Sequence, residues 1–106
     1  MISAGTPRRQ CYGSVTAGGA IENAGSNDWT VATGSTGVYT VTFITPFTTP
    51  PAISVDLSAT NAMIIANAYA AYLQLASYGI AGFTMETAKA STLVATVGFH
   101  FVAVGT

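Results

Sequence analysis

Few residues in this chain could carry out chemistry. The 106 residues include one histidine, His100, and one cysteine, Cys11, and there is no Gly-x-Ser-x-Gly motif. The carboxylates lie far apart in the sequence with no metal-loop spacing: Glu22, Asp28, Asp56 and Glu86. General acid–base or nucleophilic catalysis needs paired groups. We therefore predict no catalytic residues, no metal, no cofactor and no enzymatic activity.

Two positions give weak metal signals, and each has an ordinary alternative. His100 lies between Phe99 and Phe101 and is expected to be a packed strand histidine. In a trimer, three copies of it could instead bind an ion on the threefold axis. Asp28 follows Ser26 and Asn27, which is weakly calcium-like but more typical of a turn whose side chains bond the backbone.

Aromatic side chains are better suited to recognition, because sugar sites combine ring faces with a few polar groups. The predicted ligand-binding set is Trp29, Asn27, Asp28, Tyr69, Tyr72 and Tyr78. Trp29 and Tyr78 are the first candidates, since each borders a turn signal. The alternative for Trp29 is a place in the core or at the sandwich edge.

The composition indicates self-association. Half of the residues are hydrophobic and 7% are charged, with a net charge of −1, whereas about 25% charged residues is typical. A monomer of this size buries too little surface for so much apolar material, so we predict burial against other copies. The sequence has no basic stripe, so it carries no electrostatic signal for nucleic-acid binding. No uninterrupted apolar run approaches the ~20 residues of a membrane span.

Turn-forming residues recur about every 8–12 positions, the rhythm of an all-β sandwich or barrel. The clearest strand covers residues 38–45, where Tyr39, Val41 and Phe43 share one face. Prolines then interrupt the chain before a strand at 52–57. Weaker strands are predicted at 14–16, 29–33 and 83–87.

The last predicted strand covers residues 93–104. Both of its faces are largely apolar, which predicts a central strand buried on both sides. It is therefore the expected subunit interface and shared core. The residues assigned to that role are Phe99, His100, Phe101, Val102 and Val104.

Residues 61–77 fit two structures. Ile64, Ala68, Ala71 and Leu75 would share one face of a helix, while alternation from Met63 onwards fits strands. We favour strands with a break near residues 67–70.

Several short motifs resemble C-terminal modules of phage tail fibres and related bacterial adhesive fibres. They are Cys11-Tyr12-Gly13-Ser14-Val15, Trp29-Thr30-Val31, Gly37-Val38-Tyr39-Thr40-Val41-Thr42-Phe43, Pro46-Phe47 and Pro50-Pro51. The second half, with Gly82-Phe83-Thr84-Met85 and the closing Phe99-His100-Phe101-Val102-Ala103-Val104-Gly105, is also similar to H-type lectin domains. Together the motifs span residues 9–105.

The resemblance implies an antiparallel β-sandwich, H-type lectin-like or jelly-roll-like, that assembles as a parallel homotrimer. Residues 1–8 would be a tail or the end of a fibre shaft, and residues 9–106 the tip domain. The implied location is extracellular, on a virion tail fibre or a bacterial surface or secreted fibre.

The implied function is recognition of a cell-surface glycan or another receptor, with a purely structural trimerising cap as the alternative. The expected partners are other copies of the chain and that receptor, without nucleic acid or membrane insertion. The lectins' basic sugar-contacting residue has no counterpart, since Lys89 is the only cation after Arg9. Because the shaft would enter through residues 8–10, the predicted binding loops lie at the opposite end of the sandwich.

Overall fold

The computed structural model describes residues 8–58, 69–73, 78–89, 92–93 and 97–106. These residues form strands and no helix, so none of them belongs to a helix that could cross a bilayer. The strands are β1 (Arg9–Val15), β2 (Ile21–Asn23), β3 (Trp29–Thr33), β4 (Val38–Phe43), β5 (Ala52–Ser58), β6 (Tyr69–Leu73), β7 (Gly82–Lys89), β8 (Thr92–Leu93) and β9 (Gly98–Gly105).

The strands make two antiparallel sheets, and the predicted all-β antiparallel sandwich is confirmed. Sheet A has the order β2-β1-β9-β5. Sheet B has the order β3-β4-β7-β6, and the short β8 also pairs with the end of β7. The last strand thus pairs with the first, with Cys11 opposite Ala103 and Gly13 opposite Phe101.

The alternation predicted for residues 38–45 is confirmed in β4. Tyr39, Val41 and Phe43 are buried, while Thr40 and Thr42 are exposed. The predicted strand at 29–33 is also confirmed as β3. β-Branched and aromatic residues suit such half-buried strands because they pack well on a pleated surface.

Aromatic rings from both sheets interlock in the core. Phe101 of β9 makes edge-to-face contacts with Trp29 and Phe83, at centroid distances of 4.9 and 5.3 Å. Phe99 makes a similar contact with Tyr39 at 5.1 Å. Aromatic pairs of this geometry contribute about 0.5–1.5 kcal/mol beyond the area they bury. Through these two rings β9 packs against sheet B.

The prediction that both faces of the last strand are buried is wrong within one protomer. Phe99, Phe101 and Ala103 point into the core, as expected. The opposite face carries exposed His100 and half-buried Val102 and Val104. Sheet B covers only one side of sheet A, so this outer face has no cover from the described residues of the same chain.

The two ends of the sandwich differ. The Arg9 end holds the start of β1, the Phe47 loop and Thr106: the Arg9 guanidinium lies 4.3 Å from the Phe47 ring centroid, and the Thr48 and Thr106 hydroxyls are 3.0 Å apart. The Ala17 end holds the β1–β2 and β3–β4 turns. There the Tyr39 hydroxyl donates to the Ala17 carbonyl at 2.8 Å.

Part of the ambiguous stretch at 61–77 is described. Residues 69–73 are β6, antiparallel to β7, which agrees with the favoured strand interpretation, although residues 69 and 70 belong to the strand and not to the predicted break. The predictions for residues 61–68 and 74–77 lie outside the described residues.

Candidate functional site

An open groove of about 580 Å³ crosses the outer face of sheet A. Its lining comes from β1, β2, β9, the end of β5 and the turn after β2. The lining residues are Gln10, Tyr12, Gly13, Ser14, Glu22, Asn23, Gly25, Ser58, His100, Phe101 and Val102. They combine one exposed aromatic ring with amide, hydroxyl, carboxylate and imidazole groups, which is the usual make-up of a small-ligand site.

A polar row runs across sheet A. Asn23 is opposite Ser14, Ser14 is opposite His100, and His100 is opposite Asp56. The His100 Nε2 atom lies 3.7 Å from the Asp56 Oδ2 atom. Four strands thus place hydrogen-bonding side chains side by side, because directly opposite residues share one face of a sheet.

Tyr12 is the exposed ring of the groove, with 45% of its surface accessible. Its main chain is held firmly: its N–H donates to Ser26 Oγ at 2.9 Å, and its carbonyl accepts from the Ser26 N–H at 3.0 Å. Gly25, at φ 54°, passes so close that a Cβ there would lie 2.2 Å from the Tyr12 carbonyl oxygen. The turn after β2 therefore fixes the main chain of Tyr12 while leaving its ring accessible.

Trp29 supports this arrangement from inside the sandwich. Its indole Nε1–H is shared between the carbonyls of Tyr12 and Ala24, at 3.0 and 2.9 Å. A Cβ at Gly13 would lie 2.1 Å from Cζ2 of Trp29, so only glycine leaves room for the indole. Trp29 thereby ties the turn that forms one wall of the groove to β1.

Asp28 ends the same turn and is anchored by three groups. It accepts from Ser26 Oγ at 2.5 Å and from the Arg9 guanidinium at 3.1 Å, and the Cys11 thiol also bonds to it. Burial acts to raise the pKa of Asp28, but the hydrogen bonds outweigh burial and lower it. The carboxylate therefore stays ionised and joins β1 to the turn.

Cys11 is fully buried beneath the turn. Burial, together with its hydrogen bond to Asp28, raises the pKa of the thiol to about 12. Thiolates are the reactive form of cysteine, so at neutral pH this side chain contributes packing and a weak hydrogen bond.

The structure corrects the predicted role of Trp29 as an exposed platform. The side chain is 3% exposed, so its faces cannot stack on a sugar, and the core alternative describes it. The placement of the loop residues also differs from expectation. Asn27 and Asp28 lie at the Arg9 end, not at the opposite end, because Asp28 pairs with Arg9.

The predicted tyrosines are spread over other parts of the sandwich. The Tyr78 hydroxyl donates to the Pro51 carbonyl at the Arg9 end. Tyr69 is partly buried on β6, and Tyr72 pairs through its backbone with Glu86. The structure therefore does not bring the six predicted residues into one site.

Sequence reasoning missed Tyr12, Ser14, Glu22 and Asn23 as candidates. A signal for two of them was present: Gln10, Tyr12 and Ser14 alternate with Cys11, Gly13 and Val15, so the polar set had to share the outer face. The pairing of the first strand with the last, which adds His100, had no such local signal.

Compared with protein-family models, with curated proteins and with solved structures, the chain gives no match. The groove itself is therefore the basis for a functional proposal.

Proposed function

We propose that the chain is a receptor-binding module that recognises a cell-surface glycan or another surface receptor, and that it acts as the tip of a trimeric extracellular fibre. The observation that carries the binding role is the groove on sheet A, with an exposed tyrosine among hydrogen-bonding groups. Flat rings stack on the apolar faces of sugars, while amides and hydroxyls bond the sugar oxygens.

A rigid floor supports this role. The strands β1 and β9 each have antiparallel partners on both sides, and the Tyr12 main chain is clamped by Ser26 and Trp29. A preformed site loses less conformational entropy on binding than a flexible loop does. Less of the binding free energy is therefore lost to ordering the site.

The fibre context is proposed from the resemblance and from the composition. Only 7% of residues are charged, and the outer face of sheet A carries Val102 and Val104 partly exposed. In a trimer, three copies of a weak site raise avidity by roughly 10²–10⁴ when they engage together. A virion tail fibre or a bacterial surface fibre is the setting in which such avidity is useful.

Replacing Tyr12 with alanine is expected to weaken glycan or cell binding about tenfold or more, which corresponds to about 1.4 kcal/mol. The side chain is exposed, so the fold should survive with a loss of at most about 1 kcal/mol from strand propensity. Binding is measured on a glycan array and by calorimetry, and folding by circular dichroism.

Two control variants isolate the ring. Tyr12→Phe keeps the stacking face and should retain most of the affinity. Thr40→Ala changes an exposed residue on the outer face of sheet B and should bind like the parent. If Tyr12→Ala is folded and binds as well as the parent, the groove is not the receptor site.

A second candidate function is a structural module that trimerises and caps the fibre. The observation that favours it is the partly exposed apolar row formed by Val102 and Val104 on β9, in a strand at the centre of sheet A. Val104 does not line the groove. Val102 does line it, so Val104 is the position of this row at which assembly can be changed without altering a groove residue.

We expect the parent protein to have three times the 10.8 kDa chain mass at micromolar concentration. Val104→Glu should lower that mass, because an apolar contact between copies would then bury an unpaired charge. Multi-angle light scattering measures the mass, and Thr42→Glu, on the outer face of sheet B, is the matched control. A parent of monomer mass would exclude both the trimer and the capping role.

A further inference from the structure

The groove on sheet A has a charge character that defines its ligand more narrowly. Of its described lining residues, Glu22 is the carboxylate, and none is lysine or arginine. Of the two arginines close by in sequence, Arg9 is paired with Asp28, and the exposed Arg8 does not line the groove. The groove therefore presents the Glu22 carboxylate to a ligand, and no lysine or arginine lines it.

Glu22 lines the groove and lies at a β-bulge. Ser14 is opposite Asn23 and Val15 is opposite Ile21, so Glu22 is the extra residue of β2. Glu22 and the neighbouring Asn23 both line the groove, and Glu22 is exposed. Bulges are over-represented next to functional sites, where they change the direction of a strand's side chains.

Further hydrogen-bond acceptors lie in the polar row that crosses sheet A beside Glu22. Asn23 and Ser14 add an amide and a hydroxyl beside Glu22, and on the far side His100 is 3.7 Å from the Asp56 carboxylate. Tyr12, two residues before Ser14 on β1, supplies the aromatic ring of the same groove. A sugar stacked on Tyr12 would thus occupy a groove that the Glu22 carboxylate also lines.

We propose that the groove binds saccharides that carry a free, protonated amino group, which donates to Glu22, and that it rejects saccharides bearing carboxylate or sulfate groups. This inference rests on the proposed glycan-binding function and names its ligand class. A hydrogen bond to a charged group is stronger than a neutral one. A carboxylate on the ligand would instead be repelled by Glu22.

The experiment compares three oligosaccharides of equal length by calorimetry: a glucosamine oligomer, its N-acetylated form, and one containing glucuronic acid. The parent should bind the free-amine form about tenfold more tightly than the acetylated form, and the acidic one more weakly still. The amine preference should shrink in 1 M salt, because the Debye length there is about 3 Å.

Variants locate the effect. Glu22→Gln keeps the side-chain shape and should abolish the amine preference while leaving binding of the acetylated form unchanged. Glu86→Gln makes the same change on β7 of sheet B and should keep the preference. Amide shifts of Tyr12, Glu22 and Asn23 on titration with the glucosamine oligomer would support the site.

The failure of this inference can be distinguished from failure of the proposed function. If the parent binds the neutral oligomer as tightly as the amine, or if Glu22→Gln keeps the preference, selection by Glu22 is overturned and glycan binding survives. If none of the saccharides binds, and Tyr12→Ala attaches to cells as the parent does, both are overturned.

Discussion

Replacing Phe101 with alanine is expected to lower the free energy of unfolding by about 3–5 kcal/mol per chain, the usual range for a buried phenylalanine. The ring is 3% exposed and contacts Trp29 and Phe83 of sheet B from a central strand of sheet A. Its removal opens a cavity at the point where the two sheets meet. Such a loss is a large part of the 5–15 kcal/mol that stabilises a typical domain.

Urea unfolding followed by circular dichroism measures this loss. The matched control is Val102→Ala on the same strand, which removes a partly exposed side chain from the outer face and should cost much less. An unfolding midpoint for Phe101→Ala equal to that of the parent would show that β9 is peripheral to the core.

The fold was largely predictable because its signals are local. In β4, apolar and polar residues alternate with a period of two, and burial follows that alternation residue by residue. Turn residues likewise marked the ends of the predicted strands at 29–33 and 52–57. The observed strands β3 and β5 have nearly the same bounds. The same local reasoning also predicted burial of both faces of the last strand, but none of the described residues of the chain covers its second face.

The candidate site was less predictable because it depends on long-range pairing. Tyr12, Asn23 and His100 share the groove only because β1 pairs with both β2 and β9. The bulge at Glu22, a residue that lines the groove, is a shift of register, which hydrophobic periodicity does not reveal. A hydrophobic pattern assigns side chains to faces, but it does not say which strands are neighbours.

Trp29 shows why residue type alone misassigned the site. A tryptophan beside Asn27 and Asp28 has the residue types of a sugar-stacking site, and the predicted turn at these residues indicated that the ring would be exposed. The glycine at position 13, on the neighbouring sheet, admits the indole into the core instead. The polar neighbours then serve to anchor the turn, as the Asp28 bonds to Ser26 and Arg9 show.

Changing Trp29 to alanine is therefore expected to cost about 3–5 kcal/mol of stability, rather than to remove ligand contacts from an intact fold. The cavity would face Phe101, and the Ala24 carbonyl would lose the indole donor. Trp29→Phe keeps a ring but loses that donor, so a smaller cost of about 1–3 kcal/mol is expected.

Unfolding and binding measured on the same samples test this assignment. Asn27→Gly is the control: Asn27 is exposed with φ 58°, a conformation that glycine adopts freely, so its stability should change by less than about 0.5 kcal/mol. Because Trp29 and Phe101 touch, the doubly substituted protein should lose less than the sum of the single losses, by about 0.5–3 kcal/mol. If the Trp29→Ala protein is as stable as the parent and only its binding is impaired, then Trp29 contacts the ligand and the assignment of Trp29 to the core is wrong.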